Sequence, residues 1–156
     1  HRGTHVTVCL PLRLLRTRFQ LMRVGSGLYA VAHSNIRALL TEPQKLSVHE
    51  DGRLFLTWDR TTVGVWSIGQ GAHSRKGEVS SSSPIVVVQV SGSLRGVIAD
   101  ELLGVQDLTV RAWDSLAPPE QSCFMGTALN QEGQLVLILD PNRLEMADQR
   151  DKVIKE

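Results

Sequence analysis

Short apolar runs separated by glycine-containing turns constrain the fold of this chain more than any other feature of its sequence. A strand with one buried face alternates residues that point into the core with residues that point outward. Residues 6–10 show this pattern, because Val6, Val8 and Leu10 alternate with Thr7 and Cys9. Gly25-Ser26-Gly27 and Asp51-Gly52 each predict a hairpin, because glycine readily adopts the left-handed backbone of tight turns. The predicted strands are residues 6–10, 19–24, 28–31, 46–49, 54–58, 62–68, 85–90, 94–99, 108–112, 124–129 and 135–139. The sequence therefore predicts an all-β fold.

Two short helices and one loop interrupt this pattern. Ser34 is suited to cap a helix that runs to residue 40 and ends before Pro43. Asp140, followed by proline, predicts the start of a terminal helix. Residues 69–83 are rich in glycine, serine and charge, which predicts a flexible loop between the two halves.

The composition excludes several classes of protein. With 156 residues, of which 42% are hydrophobic, the chain is expected to form one domain or two subdomains that share a core. Its longest apolar run, 84–88, is far shorter than the ~20 residues that span a bilayer. No signal-peptide pattern opens the chain, and Cys9 and Cys123 do not supply a disulfide framework. We therefore expect a cytoplasmic protein without direct membrane insertion.

The net charge of +1 conceals a division along the chain. Residues 1–76 hold 11 basic and 4 acidic side chains, whereas residues 77–156 hold 6 basic and 12 acidic ones. If the halves form separate units, those units carry opposite charge, which would steer the approach of related domains.

No pattern typical of a catalytic, cofactor or metal site is present. Asp100 and Glu101 are adjacent, so on a strand they point to opposite faces and form a poor acid–base pair. The histidines are scattered along the chain: His1, His5, His33, His49 and His73. We expect no enzyme, cofactor or metal within this chain, although a polar cluster assembled only by the fold stays an alternative.

Nucleic-acid binding is a second alternative, because small β-barrels bind single strands through aromatic side chains in basic grooves. Arg13, Arg16 and Arg18 form a basic run with only Phe19 nearby. No aromatic cluster lies within basic residues, so we expect no nucleic-acid partner. An internal repeat points to the fold instead: residues 24–31 and 90–97 each contain a strand, a Gly/Ser turn and a second strand, which favours two similar small barrels.

The second half carries a more specific signal. From residue 96 it reads G-V-I-A-D-E-L-L-G-V, and from residue 133 it reads G-Q-L-V-L-I-L-D. In order and spacing these segments resemble the second half of the CheW-like domain of bacterial chemotaxis proteins. In the first half, residues 60–68 resemble the family segment R-G-x-[VL]-P-[VL]-x-x-[LI], with Thr61 in place of glycine and Gly64 in place of proline.

The first residues indicate a branch of that family. Residues 3–12 read G-T-H-V-T-V-C-L-P-L, which resembles the end of a histidine-kinase ATP-binding domain. In CheA-type kinases that ending leads directly into the CheW-like domain. The resemblance implies that residues 1–18 form this ending and its connector. It implies that residues 19–148 form the CheW-like domain and that residues 149–156 form a charged tail. Within the domain it implies two five-stranded barrels around a shared core: barrel one at 19–68, the loop 69–83, barrel two at 84–139 and a helix at 140–148.

What the resemblance implies about function is a non-catalytic regulatory domain of a CheA-type kinase. Its partners would be a CheW-type adaptor, chemoreceptor cytoplasmic tips and the neighbouring ATP-binding domain, at membrane-associated receptor arrays. A stand-alone CheW-type adaptor of the same fold is the alternative. The predicted partner contacts are Arg60, Val63 and Val65 of barrel one and Val86, Val88, Glu101 and Val105 of barrel two.

Overall fold

The computed structural model describes residues 17–50, 52–68, 82–112 and 123–144 of the chain. Strands dominate these residues, which confirms the all-β prediction. The strands are β1 (Thr17–Val24), β2 (Gly27–Ala32), β3 (Ile36–Leu40), β4 (Leu46–Val48), β5 (Leu54–Trp58), β6 (Thr61–Ser67), β7 (Ile85–Val90), β8 (Ser93–Ile98), β9 (Glu101–Leu108), β10 (Arg111–Ala112), β11 (Phe124–Leu129) and β12 (Leu135–Leu139). The predictions for residues 1–16, 69–81 and 145–156 lie outside the described residues.

The predicted hairpins are confirmed where the chain is described. β1 pairs with β2, β4 with β5, β7 with β8 and β11 with β12, all antiparallel. The last two predicted strands, 124–129 and 135–139, have the bounds of β11 and β12. Asp140 caps the helical residues 141–144, because its carboxylate accepts a hydrogen bond from the Asn142 backbone N–H at 3.0 Å.

Two predicted elements are wrong. The helix expected from Ser34 is a 3-10 turn (His33–Asn35) followed by β3, which pairs with β7. Half-buried and exposed residues alternate along β3, so the pairing with β7 overrides the local helix signal. The strand expected at 108–112 is divided, because β9 ends at Leu108 and β10 spans only Arg111–Ala112.

The strands form two six-stranded sheets, and each sheet combines strands from both halves of the chain. Sheet A has the order β10-β11-β12-β2-β1-β9, and sheet B has the order β3-β7-β8-β6-β5-β4. Sheet A thus takes its β1–β2 hairpin from the first half and its other four strands from the second. Sheet B takes the β7–β8 hairpin from the second half and four strands from the first. Neither sheet corresponds to residues 19–68 or 84–139, the ranges expected for the two barrels.

The two outer strands of each sheet are consecutive in the chain. Two residues connect β9 to β10 in sheet A, and five residues connect β3 to β4 in sheet B. Such short connections hold the two edges of each sheet close together, so each sheet curls on itself. If each consecutive pair is counted as one interrupted strand, each sheet has the five strands of the expected barrel.

The sheets are equivalent strand for strand, and the internal repeat marks the equivalence. In sheet A, β2 lies parallel to β12, with Ala30 beside Ile138. In sheet B, β8 lies parallel to β6, with Gly96 beside Val65. Ala30 and Gly96 occupy the same place in the repeated segments 24–31 and 90–97. The repeat therefore marks the two exchanged hairpins.

Three hydrophobic clusters hold the molecule together. One lies inside sheet A around Phe19, Leu21 and Ile138. A second lies inside sheet B around Leu56, Val63 and Ile85. The third joins the two sheets and is the predicted shared core: Met22, Val31, Ile68, Val86, Val88, Val90, Val97, Ala99, Cys123, Leu139 and Leu144. Strand β7 contributes side chains both to the cluster inside sheet B and to the shared core. It is therefore buried on both faces, which explains its continuous apolar sequence.

Two glycines are required by this packing. A Cβ on Gly96 would lie 3.1 Å from methyl groups of both Ile85 and Val65, so only a very small residue fits there. Gly104 has φ +89°, a left-handed conformation, and lies where the register between β1 and β9 shifts. Glycine at this position permits the bulge that bends β9 along the outside of β1.

Candidate partner-binding surface

Three of the predicted contact residues are core residues. Val63, Val86 and Val88 each have 0% of their surface exposed. Val63 packs inside sheet B, and the other two belong to the shared core. Their prediction as partner contacts is therefore wrong, because a side chain with no exposed surface cannot touch a partner of the folded domain.

Val65 and Val105 are half-buried. Val65 faces the interior of sheet B, where it packs against the cluster around Leu56 and approaches Gly96. Val105 lies in β9 opposite Gln20, a buried residue of β1 whose side-chain amide donates to the carbonyl oxygen of Gly104 at 3.1 Å. Val65 thus contributes to packing, and Val105 lies on an outer strand of sheet A.

Arg60 is exposed at the end of the β5–β6 hairpin. It forms a two-residue turn with Asp59, and both residues have positive φ, 46° for Asp59 and 61° for Arg60. This turn matches the right-handed twist of the strands it joins. It places the arginine at the exposed end of the hairpin.

Glu101 is exposed at the start of β9 and is tied to the β1–β2 hairpin. Its carboxylate lies 3.8 Å from Nε of Arg23, and both side chains are at least half exposed. The neighbouring carboxylate of Asp100 accepts a hydrogen bond from the Gly25 backbone N–H at 2.6 Å. The backbone N–H of Asp100 donates to the carbonyl oxygen of Arg23 at 2.9 Å. These contacts fix the turn of the first hairpin against the turn that precedes β9.

The predicted contacts therefore do not form one surface. Arg60 lies at a hairpin end of sheet B, whereas Glu101 and Val105 lie on the outermost strand of sheet A. The two charged residues are the predicted contacts with clearly accessible side chains.

Sequence reasoning missed an exposed pair of leucines. Leu129 and Leu135 face each other across β11 and β12, with 58% and 61% of their surfaces exposed. Met125 of β11 is 45% exposed. The sequence did hold a signal, because residues 135–139 are apolar without alternation. An antiparallel strand of that kind needs cover on both faces, and Leu135 has little.

An open depression of about 460 Å³ adjoins this pair. Its walls are the β1–β2 turn and the start of β12: Arg23, Gly25, Ser26, Gly27, Leu28, Gln134, Leu135 and Leu137. This lining is mixed, because Leu28, Leu135 and Leu137 lie beside the polar side chains of Arg23, Ser26 and Gln134.

The charge division of the sequence does not coincide with the two sheets. Among the described residues, the segments of sheet A (17–32, 99–112 and 123–144) hold four basic and five acidic side chains. Those of sheet B (33–50, 52–68 and 82–98) hold five basic and three acidic ones. The exchange of hairpins, together with charged segments outside the described residues, explains why the sheets differ so little in charge.

The described residues offer little that resembles a reaction centre. Within these ranges, no three His, Cys, Asp or Glu side chains are placed to hold a metal ion. Burial raises the pKa of the Cys123 thiol to about 11, which keeps it protonated and unreactive at neutral pH. No helix in the described part of the chain is long and apolar enough to cross a membrane.

Comparison with known proteins identifies this arrangement. The family model described as "CheW-like domain" matches residues 18–148. Two proteins named "Chemotaxis protein CheA", from Listeria monocytogenes and Listeria innocua, are each 21% identical over 138 residues. These matches cover 88% of this chain and 22% of each relative, so the chain spans about a fifth of the length of these curated relatives.

A solved structure shares the fold. The scaffolding protein TtCheW from Thermoanaerobacter tengcongensis superposes with a TM-score of 0.66 at 12% sequence identity. The superposition covers 81% of this chain and 90% of that protein. At this identity the likeness establishes the arrangement of strands.

Proposed function

Since the chain belongs to the family of CheW-like domains, we propose that it is a non-catalytic scaffold domain of chemotaxis signalling, and more specifically the regulatory domain of a CheA-type histidine kinase. In this role it binds a CheW-type adaptor and chemoreceptor cytoplasmic tips, and so couples receptor state to autophosphorylation by a neighbouring ATP-binding domain. It works in the cytoplasm, at membrane-associated receptor arrays.

The family match over residues 18–148 carries the proposal. The CheA branch is supported by the two Listeria relatives and by residues 3–12, whose sequence resembles the end of a kinase ATP-binding domain. The folded domain supplies two exposed charged positions on different sheets, Arg60 and Glu101, which suits a scaffold that holds more than one partner.

A stand-alone CheW-type adaptor is the second candidate. The observation in its favour is the superposition on TtCheW, which covers 90% of that scaffold protein. The coding sequence upstream of His1 distinguishes the two, because a histidine-kinase ATP-binding domain encoded there excludes a stand-alone adaptor.

A pull-down of the cognate CheW-type adaptor and a receptor fragment tests the proposal. We expect wild-type protein to retain both partners, and Arg60→Glu to retain less adaptor with an unchanged thermal midpoint. Arg60 is exposed in a turn, so its replacement should change stability by no more than about 0.5 kcal/mol. Failure of the wild-type protein to retain either partner would contradict the proposal.

Glu101 needs a control, because it forms an ion pair with Arg23. The matched variants are Glu101→Arg and the double exchange Glu101→Arg/Arg23→Glu, which restores an ion pair in the opposite sense. If Glu101 contacts a partner, both variants lose adaptor or receptor binding. If the exchange restores binding, the glutamate acts only within the domain.

A further inference from the structure

Strand β9 has one residue more than the stretch of β1 with which it pairs. Leu21 pairs with Gly104 and Met22 pairs with Leu102, so Leu103 between them has no partner. A shift by one residue turns every side chain of a strand to the other face, so a strand with a buried face usually admits one register. In β9, however, residues 102 and 103 are both leucine. A shift at this point therefore exchanges one leucine for the other.

Both leucines already pack against apolar clusters, on opposite faces of sheet A. Leu102 packs against the shared core, and Leu103 packs against the cluster inside sheet A. If the residues before Gly104 moved by one position, Leu103 would lie opposite Met22 and Leu102 opposite Arg23. Adjacent residues of a strand point to opposite faces, so each leucine would then face the cluster that the other faces now. Apolar packing therefore distinguishes poorly between the present, bulged register and this shifted register.

A buried amide favours the bulged register. Gln20 is only 2% exposed, and its side-chain amide donates to the carbonyl oxygens of Leu21 at 2.9 Å and of Gly104 at 3.1 Å. These two carbonyl groups lie on β1 and β9 at the point where the register changes. Gly104 has φ +89° there, and without the bulge it would return to an extended conformation with its peptide groups reoriented. The bond from Gln20 to Gly104 thus belongs to the bulged register.

The start of β9 carries two more contacts of that register. The carboxylate of Asp100 accepts the Gly25 N–H at 2.6 Å, and the carboxylate of Glu101 lies 3.8 Å from Nε of Arg23. In the shifted register Glu101 would lie opposite Val24, and the turn at Asp100 would contain the residue that now forms the bulge. Both contacts lie in exposed surroundings, where they contribute less than bonds in the interior.

We propose that residues 101–103 exchange between these two registers on β1, and that the buried amide of Gln20 selects the bulged one. In the shifted register the carboxylate of Glu101 moves to the opposite face of sheet A, because the side-chain period of a strand is two residues. A partner that binds Glu101 therefore binds one register and shifts the equilibrium toward it. This consequence rests on the proposed function, whereas the exchange is a property of the domain alone.

Nuclear magnetic resonance exchange measurements on the 156-residue protein test the proposal. We expect the wild-type protein to show a minor state confined to residues 100–104. Gln20→Leu keeps an apolar side chain in the buried position and removes both hydrogen bonds, so it should raise the ratio of shifted to bulged register at least about tenfold, equivalent to about 1.4 kcal/mol. Gly104→Ala should act in the same direction, because alanine disfavours a left-handed backbone. A Cβ there meets no atom within 4 Å, so crowding does not contribute.

The double variant Gln20→Leu/Gly104→Ala is the decisive measurement. We expect the shifted register to become the major state. The cross-strand nuclear Overhauser effect of Met22 should then connect it to Leu103 instead of Leu102. This change of partner reports the register itself, which a general loss of stability does not alter.

Val86→Ala is the matched control, because it leaves a cavity in the shared core away from the pairing of β1 with β9. It should lower global stability and leave the register ratio unchanged. The proposal is overturned if Gln20→Leu shows no minor state at residues 100–104, if the folded double variant keeps the contact of Met22 with Leu102, or if Val86→Ala raises the ratio equally. Should the double variant not fold, the ratios in the single variants decide. These measurements need no partner, so the pull-down with Arg60→Glu can fail separately.

Discussion

The β5–β6 and β11–β12 hairpins occupy equivalent places in the two sheets, yet only their inward residues are alike. Leu56 and Val63 fill sheet B as Ala128 and Val136 fill sheet A. On the outward side, Thr57 lies opposite Thr62 in the β5–β6 hairpin. At the equivalent place of the β11–β12 hairpin, Leu129 lies opposite Leu135. Packing therefore restricts the inner positions of both sheets to apolar residues. The outer positions are available to distinguish one sheet from the other.

The largest expected effect concerns the exchange of hairpins between these sheets. Cutting the chain at 75/76 separates the halves, and each half lacks strands that both sheets need. We expect fragments 1–75 and 76–156 each to lack cooperative unfolding, and an equimolar mixture to regain the β circular dichroism spectrum. A cooperative thermal transition in either fragment alone would contradict the exchanged topology, because a barrel of contiguous residues would fold by itself.

This exchange also marks the limit of what sequence predicts here. Strands such as 124–129 and turns such as Asp51-Gly52 are encoded locally, by period and by turn chemistry, and most of them were predicted. The parallel contacts of β2 with β12 and of β6 with β8 join residues far apart in sequence. No local pattern distinguishes them from pairings within each half.

The candidate contacts show a similar limit. The continuous apolar sequence of β7 is typical of a strand that is buried on both faces, and the structure buries Val86 and Val88 completely. Arg60 and Glu101 are both exposed, as is usual for charged side chains. The exposed leucine pair is indicated in the sequence only by the missing alternation at residues 135–139, and the strand pairing is needed to show that Leu129 lies opposite Leu135.

Alanine substitutions separate the core of each sheet from its surface. We expect Val86→Ala in the shared core and Val63→Ala inside sheet B each to lower the free energy of unfolding by about 2–3 kcal/mol, because each leaves a cavity in a fully buried cluster. Arg60→Ala, the surface control, should change it by no more than about 0.5 kcal/mol. Urea denaturation measures all three, and a near-neutral Val86→Ala would show that the shared core does not join the sheets.

Substitutions at two neighbouring residues of β12 compare how much the inward and the outward face of this strand contribute to stability. Val136→Thr places a hydroxyl in the sheet A cluster and should cost about 2 kcal/mol, because the cluster offers that hydroxyl an apolar environment. Leu135→Thr makes a similar change one residue away, on the exposed face, and should be nearly neutral. Chemical denaturation of both variants gives the difference. Equal costs would mean that Leu135 is packed within the monomer as closely as Val136.

The smallest expected effect compares the turns of the two exchanged hairpins. The β1–β2 turn is held by the Asp100 carboxylate, which accepts the Gly25 N–H at 2.6 Å, whereas the β7–β8 turn has a 3.5 Å contact between the Ser91 hydroxyl and the Asn142 side-chain oxygen. A short bond to a carboxylate is stronger than a long one between neutral groups. Asp100→Ala should therefore cost about 1 kcal/mol, and Asn142→Ala a few tenths at most. Amide hydrogen exchange should show faster opening of residues 24–28 in Asp100→Ala while residues 90–94 keep their rates. Equal effects in both turns would indicate that the two hairpins are held by strand pairing alone.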